Sequence, residues 1–197
     1  MDTKRRIASR FTATSLSIVA CVFLLGAWAQ PSAAGTHIVI HGGDAAQARS
    51  VEWAVGRYRA AGLQGMPELD VYLHTPREAC GGYLGTFEQG RIDLCTGESS
   101  ELYARKFALH ELGHAWVKAN LSDATRERFL RFRDLAAWND WSIPWKERGT
   151  EQAAEIIVWG IGEGEISPLL PLPIDDDDDL LAAYVMLTGR APINPAI

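Results

Sequence analysis

The segment His110-Glu111-Leu112-Gly113-His114 constrains this chain more than any other stretch. Residues 101–119 around it have the composition of a helix. Ser99 or Ser100 stands ready as N-cap, and Leu102, Leu109, Leu112 and Trp116 supply an apolar face. A helix turns about 100° per residue, so His110 and His114, four apart, point from one face roughly a turn apart. Both imidazoles can then reach a single ion. Glu111 projects beside them, within reach of a water polarised by that ion and acidic enough to lose a proton to a carboxylate. Gly113 is a poor helix former and is expected where another backbone approaches closely. A second element must come to this helix and complete the site.

The third ligand is not a histidine, because none follows His114; Val117 and Asn120 stand where a metzincin carries Gly and His. Downstream carboxylates remain. Glu151 and Glu155 are four apart on a helix expected over 149–161, so they share a face and suit one ligand plus one residue that orients a ligating His. Asp134 and Asp140 are rival ligands, the second only if the aromatic loop 138–145 folds over the site.

Together, His110 to His114 with Glu151 and Glu155 resemble the gluzincin branch of the zincin-like metallopeptidases. The specific resemblance spans about 103–161. It implies Glu151 as zinc ligand and Glu155 as the residue orienting a histidine. The branch usually has Asp at the second position, which leaves exchanged roles open. The resemblance further implies one Zn²⁺ per chain, with a fourth coordination position left to water. Glu111 would take that water's proton during attack on a peptide carbonyl and pass it to the leaving amine. Tyr184 is the expected oxyanion donor, with Tyr83, Tyr103 and Arg148 as alternatives. The strand before the zinc helix, 91–94, is expected as an edge strand that binds an extended peptide.

The N-terminus carries a basic group, Lys4, Arg5, Arg6 and Arg10, then an apolar run over 13–29 and small-residue cleavage patterns ending at Ala29 and Ala34. Residues 1–34 are therefore expected to be a signal peptide, with an uncleaved anchor or a lipoprotein box at Cys21 as alternatives. The domain proper is 35–197. Removing the leader takes Cys21 with it and leaves Cys80 and Cys95, which flank a glycine-rich hairpin or compact loop and are expected to form a disulfide. It also leaves 15 basic against 24 acidic side chains, a charge of −9. Such an acidic domain is a poor partner for nucleic acid or an anionic membrane.

The remaining elements read as strands over 36–40, 69–73 and 90–95. Helices are expected from the Asp44 cap to 61, from the Ser122 cap to about 138, and over 178–187, with 168–173 extended. The fold class is α+β: a small zincin-like domain with a short N-terminal sheet, then the active-site helix and a helical C-terminal part. Asp175 to Asp179 is expected to serve as N-cap and dipole partner of the last helix rather than to bind calcium, and Trp138, Trp141 and Trp145 to pack or anchor loops, with lining a groove as the alternative. The sequence thus points to a secreted, monomeric zinc-dependent peptidase acting on a peptide or protein. The alternatives are a non-catalytic binding module with a structural zinc, and a zinc hydrolase of cell-wall peptides.

Overall fold

The computed structural model describes residues 37–163, 166 and 177–194. The chain divides into two units, Met1–Ala34 and Gly35–Ile197, and every described residue belongs to the second. The leader expected over 1–34 and the extended stretch expected over 168–173 lie outside the described residues.

Four strands form one mixed sheet. They are β1 (Ile38–Gly42), β2 (Leu69–Leu73), β3 (Gly85–Glu88) and β4 (Arg91–Leu94), in the order β1-β2-β4-β3. The first three in that order run parallel, and β3 lies antiparallel on the edge. Parallel neighbours need a crossover, and α1 (Ala45–Ala60) provides it between β1 and β2. Asp44 caps α1 by accepting from the backbone N–H of Ala46 and Gln47, while Gln47 returns a bond to the Asp44 N–H, completing a capping box. Alternation in β2 sets its faces: Leu69, Val71 and Leu73 are buried and Asp70 is exposed.

The glycine-rich stretch after Cys80 forms a hairpin, one of the two forms expected for it. Gln89 and Gly90 both take positive φ, 48° and 88°, the requirement of a two-residue hairpin turn whose twist matches its strands. Gly85 to Glu88 thereby pairs with Leu94 to Arg91. This corrects the expected edge: β4 is internal, and β3 beside it is one of the two edge strands, with β1 at the other end. The Cys80–Cys95 disulfide is present and ties the short 3-10 turn Arg77–Cys80 to the residue after β4. The bridge fits an oxidising, extracytoplasmic compartment. Among the described residues no helix is long and apolar enough to cross a membrane.

The helices follow. α2 (Glu101–Asn120) is capped by Ser100 and packs between α1 and α4 (Gly149–Ile161). α3 (Asp123–Phe132) is capped by Ser122 but stops well short of Trp138. Asp134 turns into the left-handed region at φ 52°. Leu135 N–H reaches back to Leu130 C=O and Asp134 N–H to Arg131 C=O, a Schellman closure with Asp in the place glycine usually takes. α5 (Asp177–Thr188) packs on α4, its first turn carrying Asp177, Asp178 and Asp179. The observed class is therefore α+β. One core joins the inner sheet face to α1, α2, α4 and α5 through Tyr58, Val71, Ile92, Leu109, Leu112, Ile156 and Tyr184.

Candidate metal centre

The site is assembled where α2 meets α4. A Cβ added at Gly113 would stand 3.2 Å from the Cα and Cβ of Ala154 and from the Tyr58 hydroxyl, so a glycine here lets the two helices come this close without either having to give way. Tyr58 uses that hydroxyl to donate to the Leu109 carbonyl inside the core. The close crossing lays Glu151 and Glu155, one turn apart on α4, against His110 and His114, one turn apart on α2.

Three ligand atoms converge. His110 Nε2 and His114 Nε2 are 3.0 Å apart, and Glu151 Oε2 lies 3.3 Å from the first and 3.2 Å from the second. A tetrahedral centre with bonds of ~2.0–2.1 Å separates its ligand atoms by ~3.3 Å, and two imidazoles with a carboxylate are a donor set zinc accepts. The group could therefore hold a metal ion, and its spacing and donors fit zinc. His110, Glu111 and Glu151 are buried, and His114 is partly buried.

The far side of each imidazole is also held. His110 Nδ1 lies 2.7 Å from Glu155 Oε1, and Glu155 has no exposed surface. His114 Nδ1 lies 3.2 Å from Thr150 Oγ1. Such outer contacts fix the ring and its tautomer, leaving Nε2 to face the ligand position. Thr150 was not anticipated, although its place one residue before Glu151 at the start of α4 was a usable signal.

The electrostatics follow from this crowding. Burial works to raise the Glu151 carboxyl, but hydrogen bonds from His110 and His114 outweigh it and hold the group at about 2. Burial would lower the His110 imidazole, yet Glu151 and Glu155 reverse that and hold it well above its ordinary value. Both directions describe a cluster built around positive charge, which a protonated imidazole or a divalent cation supplies. Glu111 differs. Burial pushes its carboxyl up, against the pull of the two histidines.

Glu111 lies under the edge strand. A Cβ on Gly85 would sit 2.5 Å from Glu111 Oε1, so the β3 backbone passes directly over the carboxylate. Sequence reasoning did not single out Gly85. Nor did it single out Trp145 for the site, yet the Trp145 ring stands 6.1 Å from the His110 ring. The loop carrying it does fold toward the site, but without delivering Asp140 as a ligand: that carboxylate accepts from the N–H and hydroxyl of Ser142 instead. Asp134 sits at the left-handed turn that ends α3. Neither belongs to the converging group.

The expected oxyanion donors fare less well. Tyr184 is fully buried, against Trp159 and against Gly160, where even a methyl group would overlap its ring; a hydroxyl with no exposure cannot meet an incoming substrate. Arg148 is buried and spends its guanidinium on the Ile143 and Trp141 carbonyls. Tyr83 and Tyr103 are exposed. Of the other histidines, His41 pairs with Asp70 and His74 with Asp93, each at 2.7 Å.

Comparison with protein-family models, curated proteins and solved structures finds no match for this chain.

Proposed function

We propose that the chain is an exported zinc-dependent peptidase. One observation carries the reading: the triangle of His110 Nε2, His114 Nε2 and Glu151 Oε2, with sides of 3.0 to 3.3 Å, stands beside a buried carboxylate, Glu111, that belongs to no ligand set. A purely structural metal site closes its coordination with protein atoms and has no use for such a neighbour. When bound, zinc supplies Lewis acidity and brings the pKa of water at its open position to ~7.

The chain's residues do the rest. Glu155 and Thr150 hold the two imidazoles in orientation. Glu111, fixed beneath β3, accepts a proton from the attacking water and delivers it to the amine as the C–N bond breaks. The free side of β3 offers unpaired backbone groups to which an extended peptide adds as a further strand, running past Glu111 at Gly85. The basic and apolar N-terminus and the Cys80–Cys95 bridge support action outside the cytoplasm.

Glu111→Gln tests the mechanism. The variant is expected to keep its zinc and to lose peptide hydrolysis by about 10²–10⁴-fold. Unchanged turnover with zinc bound would refute the role of Glu111.

A further inference from the structure

The aromatic loop between α3 and α4 is built to present a tryptophan beside the metal ligands. Trp145 packs one side of its indole toward the His110 ring, at 6.1 Å and a tilt of 46°, which is contact range for aromatic pairs. It nevertheless keeps 41% of its surface exposed. Exposed tryptophan is costly to leave in water, so the rigidity of its support matters.

That support comes from buried polar groups. Gln152, 1% exposed, donates through Nε2 to the Lys146 carbonyl and accepts at Oε1 from Arg133 Nε. Arg148 donates to the Ile143 and Trp141 carbonyls and lies over the Trp141 ring. Gly149 and Thr150 N–H bond the Ala137 and Trp138 carbonyls at the loop's other end. The loop backbone is thus pinned at 137, 138, 141, 143 and 146, on both sides of Trp145, before any ligand arrives.

Resting on the peptidase reading, we propose that Trp145 is the specificity-determining wall of the subsite next to the metal, and that the substrate is a polypeptide segment presenting a large apolar side chain there. An aliphatic or aromatic side chain beside the scissile bond covers the open indole and loses its own hydration. A cell-wall peptide of alanine with acidic or diamino residues offers this wall almost nothing to bury. The inference therefore separates two substrate classes that the metal site alone does not.

The test uses two zinc-chelating peptidyl hydroxamates that differ only in an isobutyl or a methyl side chain next to the chelating group. Each is titrated calorimetrically into the zinc-loaded full chain. Three further carbons buried against the wall should favour the isobutyl compound in the wild type by about ten- to fifty-fold. In Trp145→Ala that preference should collapse to within about threefold, with zinc content and affinity for the methyl compound retained. Trp145→Phe should restore most of it. A preference fully kept in Trp145→Ala overturns the inference while leaving the peptidase reading intact. A wild type that takes no zinc, or binds neither hydroxamate when loaded, overturns both.

Discussion

Gly85→Ala is a one-methyl perturbation aimed at Glu111 alone. The new Cβ would stand 2.5 Å from Glu111 Oε1, 2.8 Å from its Cγ and 2.9 Å from its Cδ, where ordinary contact begins near 3.4 Å. Either β3 or the carboxylate must therefore move by about 1 Å. β3 is hydrogen-bonded along β4 and anchored just upstream, where Cys95 N–H donates to the Leu84 carbonyl, so the carboxylate is the part that yields. Gly85 does not have a positive φ, and alanine carries no backbone penalty there. The packing cost is about 1–3 kcal/mol. A displacement of ~1 Å in a reacting group costs on the order of 10²-fold in rate. The three atoms nearest the methyl all belong to Glu111, and none to His110, His114 or Glu151. The variant should therefore bind zinc as the wild type does, melt slightly lower, and turn over a peptide substrate about a hundredfold more slowly. Zinc content, thermal melting and kcat are measured on the same preparation. A kcat within about threefold of wild type would refute the argument that β3 positions Glu111 for proton transfer, and loss of zinc would show that the strand supports the ligands instead.

Other perturbations separate the supporting contacts. Gly113→Leu should force α2 from Ala154, cost about 1–3 kcal/mol by overpacking and abolish zinc binding; a variant that still binds zinc normally would contradict the close-crossing account. Cys80→Ser opens a bridge between residues 15 apart, worth ~3 kcal/mol in the chain-entropy model, and should lower the melting temperature by about 6–12 °C; an unchanged melt counts against it. Asp93 is held below its ordinary value chiefly by Arg91, whose guanidinium donates to both carboxylate oxygens, with His74 adding a bond and burial opposing. A carboxyl lowered on folding stabilises above its unfolded pKa and loses that contribution as pH falls through the folded one. Urea midpoints should thus show Asp93→Asn less stable than wild type at pH 6, with the gap closing towards pH 2; a gap that persists in acid would contradict the linkage.

Much of the site was legible because it rests on helical periodicity. The i, i+4 spacing of His110 and His114, and of Glu151 and Glu155, is a local property that survives whatever the tertiary fold does. The caps Asp44, Ser100 and Ser122 are equally local. What escaped depends on contacts across the chain or on backbone signs. A hairpin between Cys80 and Cys95 was one of two expected forms, but the exact strand β3 and its place at the edge follow from the positive φ of Gln89 and Gly90 and the pairing across them, which composition does not announce. The end of α3 uses Asp134 in a left-handed position, so the usual glycine signal was missing. The burial of Tyr184 is decided by the shape of α4 at Gly160, and the approach of Trp145 to His110 by hydrogen bonds from Gln152 and Arg148. No sequence window contains either relationship.

Zinc per mole of purified protein, measured in parallel for wild type and Glu151→Ala, tests the central claim most directly. About one zinc in the wild type and at least tenfold weaker binding in the variant are predicted, because the variant removes one of three converging ligands. A wild type that takes up no zinc when zinc is offered, or a variant that holds it unchanged, would contradict the account.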